Sequence, residues 1–114
     1  MGISKNSDDG FKPGEVVRPE SMVEYQPGAI VSRTVVSKPT GTVTLFAFDK
    51  GQGLSEHSAP FDAIVFALDG DVQVTISGKP FKVEKGQALM MPANEPHSVS
   101  APDRFKMMLV MMKS

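Results

Sequence analysis

The sequence predicts an all-β fold, a small sandwich or barrel around one core. From Met22 onward, short β-rich runs alternate with turn residues at close intervals, which is the pattern of sandwiches and barrels rather than of strands alternating with helices. Gly, Pro and Asp separate nearly all of these runs. No ten-residue stretch carries the 3.6-residue period of an amphipathic helix. At 114 residues the chain makes one domain, large enough to bury about two-thirds of its unfolded surface.

Residues 1–20 are polar and broken by Gly10, Pro13, Gly14 and Pro19, so they are expected to form a mobile tail leading into an arm, with the barrel domain over 21–114. The expected strands are Ala29 to Ser37, Val43 to Asp49, Ala63 to Asp69, Asp71 to Ser77, Phe81 to Glu84, Gln87 to Met91, His97 to Ala101 and Phe105 to Met112. Lys38-Pro39-Thr40-Gly41, Asp69-Gly70-Asp71, Ser77-Gly78-Lys79-Pro80 and Glu84-Lys85-Gly86 supply residues that tolerate positive φ in tight hairpins. Ala63 to Leu68 is apolar on both faces. One face should line the barrel and the other should meet a second apolar surface, supplied by a homodimer or a second sheet. Thr42, Thr44, Phe46 and Phe48 share one face of their strand and Val43, Leu45 and Ala47 the other, and neither face suits open water.

Twelve basic and thirteen acidic residues leave a formal charge of -1, and no basic cluster interleaves with aromatics. Nucleic acid and anionic membrane are therefore not expected partners; a small molecule is. The absence of cysteine removes disulfides and thiolate chemistry, and fits a reducing compartment. The amino terminus has no apolar core for a signal peptide, and the longest apolar stretch, Met107 to Met112, falls far short of the roughly twenty residues that cross a bilayer. A cytoplasmic location is expected.

The two histidines, His57 and His97, each adjoin a Gly/Pro-rich turn. Gly51 leads to His57 and on to Gly70, and Gly86 leads through Pro92 and Asn94 to His97. At these offsets the chain resembles the cupin superfamily over roughly Met22 to Met112. The resemblance implies a jelly-roll barrel, the double-stranded β-helix. It also implies a metal centre of histidines and a carboxylate, and here the chain departs from the pattern. Ala59 stands at the second histidine position, Ala63 at the glutamate position, and Ala101 at the closing position of the second motif.

Two imidazoles alone would leave an Fe, Mn, Ni, Zn or Cu ion without charge compensation, so any metal site needs an added oxygen, with Asp62 and Glu56 as candidates. Strict alternation turns both outward, although a bulge at Pro60-Phe61 could bring Asp62 in. The reading adopted is a small-ligand pocket in the lumen without cofactor, floored by His57 and His97 and bounded by Ala59, Phe61, Ala63, Asn94, Met91 and Met107. The alternatives are a metal-dependent oxygenase or isomerase using His57, His97 and Asp62, and a non-catalytic structural or regulatory dimer. Lys106 should avoid the lumen, which sends Lys106, Met108 and Val110 outward and Phe105, Met107, Leu109 and Met111 inward. Arg33 is either an anion clamp or an exposed or interface residue. A hydrolase built from Ser55, His57, Ser58 and Asp62 is disfavoured, because neighbours on one strand point to opposite faces.

Overall fold

A computed structural model describes residues 10–113. The expectation of a mobile tail falls partly on residues 1–9, which lie outside the described residues. The described chain forms β1 (Ile30–Lys38), β2 (Gly41–Phe48), β3 (Gly53–His57), β4 (Asp62–Asp69), β5 (Val72–Ile76), β6 (Lys79–Val83), β7 (Ala88–Met91), β8 (His97–Ser100) and β9 (Phe105–Met112), with one 3-10 turn at Pro19–Ser21. Two antiparallel sheets, ordered β1-β2-β9-β4-β7 and β3-β8-β5-β6, face each other as a jelly roll. Eight of these strands match the expected runs to within two residues. The ninth, β3, was not expected: Gly-Leu-Ser-Glu-His holds a single apolar residue and gives no period-2 signal. His57 therefore closes a strand, while His97 opens one.

The turns follow their chemistry. Ile76 pairs with Lys79 across a two-residue hairpin in which Ser77 and Gly78 both take positive φ, 49° and 82°, as the twist of a β-ribbon prefers. Gly70 has φ 68°, and a Cβ there would lie 2.6 Å from the Arg104 carbonyl oxygen, so the β4–β5 turn admits no side chain.

The core fills the space between the sheets. Phe48 stacks on Phe105 with centroids 4.6 Å apart, and both are fully buried with Val65, Val72, Val74 and Met107. Of the inward set expected on β9, Phe105 and Met107 are buried here and Leu109 packs against them. A second cluster, Val23, Val35, Leu45 and Ala47, lies on the outside of the five-stranded sheet, with Phe11, Met22, Tyr25 and Leu68 packed on it. The second apolar surface required by the sequence is therefore supplied in part by the chain's own arm.

Two register irregularities fasten that arm. Between Thr34 and Val36 the β1 ladder skips Val35, whose carbonyl accepts the Phe11 N–H at 3.0 Å while its side chain is buried under the arm. Between Ala67 and Asp69 the β4 ladder skips Leu68, which brings Asp69 opposite Lys106 rather than opposite Phe105. Tyr25 lies over this pair. Its hydroxyl donates to Asp69 Oδ2 at 2.7 Å, and the Arg104 guanidinium and Lys106 ammonium sit 4.4 and 5.0 Å from its ring centroid.

Lys106 does face away from the lumen, as expected, yet it is 8% exposed. Its ammonium donates to the Glu20 carbonyl at 2.7 Å, so a backbone oxygen and a π face replace the water it gave up. Arg33 likewise donates to the Met22 carbonyl at 2.7 Å, which ties it to the arm. Burial, then the hydrogen bond and charge of Asp69, hold the Tyr25 hydroxyl well above the ordinary phenol range, so it remains a donor throughout the physiological range. Replacing it tests the latch: Tyr25→Phe, which strands the Asp69 carboxylate, is expected to lower unfolding free energy by about 1–2 kcal/mol in urea denaturation.

Candidate functional site

At one end of the barrel, two loops cross between the sheets: 58–61 from β3 to β4 and 92–96 from β7 to β8. They are joined where the Asn94 N–H donates to the Ala59 carbonyl at 2.7 Å. Asn94 has φ 68°, the left-handed conformation that asparagine tolerates better than most residues and that the motif's glycine position implies. This loop pair sets where β3 ends and where β8 begins.

Both histidines sit at this end. On β8, His97 shares the face of Val99 and Ala101, which belong to the core between the sheets. Alternation counted back from an inward His57 turns Glu56 outward, as expected from the sequence, but the lumen residue of β3 is Leu54, paired with Val99, and alternation counted from it would turn Glu56 inward. The ladder instead shifts by one residue between Leu54 and His57, so that His57 is the residue opposite His97. The ring centroids are 4.4 Å apart, at 67° to one another. Glu56 and His57 are both exposed, and His97 is half-buried, so the pair stands at the open end of the barrel.

Each ring is fixed by a carbonyl two residues before it in the chain. His57 Nδ1 lies 2.9 Å from the Ser55 carbonyl and His97 Nδ1 lies 3.3 Å from the Glu95 carbonyl. A carbonyl oxygen only accepts, so both Nδ1 atoms carry the proton and donate it. The Glu95 carboxylate is itself held by the Ser77 hydroxyl at 2.5 Å. Desolvation first, with the neighbouring His57 adding to it against the Glu95 carbonyl, moves the His97 imidazole below its ordinary range and favours the neutral ring.

The other expected site residues divide into two groups. Ala59, Phe61, Ala63, Asn94 and Met91 all belong to this end, with Ala63 paired to Met91 and both buried. Met107 does not. It is sealed in the core opposite Phe46 and Ala67, four residues along β9 from the level of Ala63. Met111, on the same face and opposite Ala63, holds the place expected of Met107. Inward parity alone could not separate the two, because both satisfy it; only the register with β4 does.

Asp62 is exposed on the face opposite Ala63, and its Oδ1 accepts the Ala93 N–H at 2.8 Å. It fastens the 92–96 loop rather than joining the histidines, and the bulge that could have turned it inward falls in β3 instead. The same contact separates Asp62 from His57, whose Nδ1 is on a backbone carbonyl, so no Ser-His-Asp relay forms. Among the described residues no three of His, Cys, Asp and Glu converge as a metal-holding group. Two neutral nitrogens do not make up the ligand set that the resemblance implies, and they bring no charge to balance a divalent ion.

Two clefts lie away from the histidines. One of about 440 Å³ runs between the arm and β1, along Met22 to Gln26 and Val31 to Thr34. Another, of about 410 Å³, opens at the seam between β6 and β7. Among the described residues no helix is long and apolar enough to cross a membrane.

Comparison with known proteins agrees with this architecture. A family model described as Cupin domain matches residues 44–112, a span that holds both histidines and both alanines. A conserved protein of unknown function from Streptococcus pyogenes is 34% identical, with a TM-score of 0.85 over 92% of this chain and 92% of its own. A Cupin 2 conserved barrel domain protein from Leptotrichia buccalis is 45% identical, with a TM-score of 0.80 over 82% of this chain, which corresponds to 46% of that one. A salicylate 1,2-dioxygenase from Pseudaminobacter salicylatoxidans shares the fold alone, at 19% identity and a TM-score of 0.68, over 76% of this chain and 27% of its own. No curated protein matches the sequence.

The geometry predicts a pH signature. Because the folded state holds His97 below its unfolded value of about 6.5, the unfolded chain binds the proton more tightly. This component of stability is present above that value and is lost as pH falls through the lower, folded one. His97→Gln should flatten that part of the stability-against-pH curve. In the wild type, the His97 ring should titrate below free imidazole in an NMR titration.

Proposed function

This chain belongs to the cupin family, and from that premise we propose that it binds a small organic molecule in the barrel lumen, with His57 and His97 fixing the polar end. The observation that carries this reading is the β3 bulge, which brings His57 opposite His97 at a centroid distance of 4.4 Å, at the end of the barrel that also holds Ala59 and Ala63. Where the family pattern places a second imidazole and a carboxylate, two methyl groups stand, and Ala63 is flanked in register by Met91 and Met111. Apolar walls with two oriented polar atoms are the usual composition of a ligand pocket, and thioethers adapt to irregular shapes.

A metal-dependent oxygenase or isomerase is the competing reading. The donor set argues against it, since Asp62 is committed to Ala93 and, among the described residues, no carboxylate groups with the two histidines. Metal analysis of protein purified without a nickel step decides between them. Near-stoichiometric metal that is lost in a His57→Ala, His97→Ala double variant would overturn the ligand-binding reading.

We also propose a homodimer. Outside the area covered by the arm, the five-stranded sheet presents Ile64 between Met90 and Val110 in register, next to Phe66 and Met112. Met90 is 51% exposed and Met112 39%. A contiguous apolar strip on a sheet face favours a self-complementary contact about a two-fold axis.

Two measurements follow. In a ligand-observed NMR screen of small ring alcohols, amides and carboxylates, hits should shift the resonances of Ala63, Met91 and His97 and be lost in Ala63→Leu, which fills the lumen; hits confined to the outer face would refute the reading. In light scattering at micromolar concentration the chain should have twice the mass of one copy. Met90→Lys, at a site already open in the single chain, should reduce it to one.

A further inference from the structure

The tautomers of the two histidines restrict what the lumen can hold. Both Nδ1 atoms donate to a carbonyl two residues back in the chain, so each ring in its neutral form leaves its other nitrogen, Nε2, as a bare lone pair. The site therefore offers two hydrogen-bond acceptors on rings whose centroids lie 4.4 Å apart. Among the described residues no further His, Asp or Glu groups with them to supply charge.

Three ligand chemistries meet this pair differently. A carboxylate or phosphate oxygen is itself an acceptor, and against two lone pairs it gains no hydrogen bond while losing its hydration. An ammonium could donate, but it would bring an uncompensated charge among Ala63, Met91 and Ile76. A hydroxyl donates at no cost in charge. Two hydroxyls on adjacent carbons would satisfy two acceptors whose rings lie 4.4 Å apart, while the carbon frame meets alanine and methionine. The feature that favours an anion is Lys113, and its ammonium sits over the Phe61 ring, 5.8 Å from the centroid.

Resting on the lumen-binding reading above, we propose that the ligand is an uncharged vicinal diol on an apolar frame, its two O–H groups donating to Nε2 of His57 and of His97. The selection is by tautomer. It requires no metal, and a site built from the opposite tautomers would prefer carbonyl and carboxylate oxygens instead.

Four probes with one carbon frame test this on the full chain at neutral pH: cis-1,2-cyclohexanediol, its dimethyl ether, cyclohexanecarboxylate and cyclohexylammonium. Long-range proton–nitrogen spectra of histidine-labelled protein should show both rings with protonated Nδ1 and bare Nε2. The diol should move both Nε2 resonances and bind at least about tenfold more tightly than the ether or the carboxylate, roughly the difference one unmade hydrogen bond makes. His97→Ala should weaken the diol by a similar factor while leaving the ether unchanged. Equal or tighter binding of the carboxylate or the ammonium, or Nε2-protonated rings, would overturn the diol proposal and leave the lumen reading standing. Failure of all four probes to touch the lumen would remove the lumen reading, and the diol proposal with it.

Discussion

Side chains on a strand alternate between its two faces, and the structure depends on three places where this chain breaks the alternation. An inserted residue reverses the face of everything beyond it. At Val35 and at Leu68 the reversal serves the outside of the five-stranded sheet, where it turns a carbonyl toward Phe11 and places Asp69 beside Lys106 beneath Tyr25. In β3 it serves the inside, bringing His57 rather than Glu56 opposite His97. The arm and the candidate site thus have a common origin in strand register.

The arm resolves a difficulty of composition. A sheet with Leu45 and Ala47 on one face and Phe46 and Phe48 on the other has no side to give to water, and a 114-residue chain cannot build a second core to cover it. Phe11, Met22, Val23 and Tyr25, packed on Val35, Leu45 and Ala47, cover part of the outer face at low cost in chain length. The polar anchors fix where the arm lies. Lys106 reaches the Glu20 carbonyl, Arg33 reaches the Met22 carbonyl, and Tyr25 bonds Asp69 while two cations flank its ring. Apolar contact alone would let the segment slide; these directional contacts set its register.

Much of the fold was legible, because its signals are local. Ser77-Gly78 specifies its hairpin by the φ values those residues accept, and Asn94 takes the left-handed turn that its position in the motif implied. Eight strands announced themselves through β-rich runs between turns. What was hidden depends on register. Strand β3 has too few apolar residues to be recognised, and its bulge follows from pairing with β8, which no window of sequence contains. Lys106 was rightly turned from the lumen, but its burial needed the arm. Met107 and Met111 satisfy the same parity, and only the pairing with Ala67 or Ala63 decides which of them stands near the histidines.

The β3 bulge bears on whether the site is more than a remnant of packing. Skipping a residue gives up regular ladder bonds near the end of a five-residue strand at a sheet edge, where there is little pairing to spare. A straight β3 would pair more fully, but it would aim Glu56 into the lumen beside His97. That carboxylate would stabilise a charged imidazolium and take up an Nε2 hydrogen bond. With the bulge, His57 rather than Glu56 stands opposite His97, and each ring's orientation is set by a carbonyl two residues before it. The bulges at Val35 and Leu68 place polar groups that fasten the arm, whereas the β3 bulge places two imidazoles that, among the described residues, fasten no other element, and this is what distinguishes it.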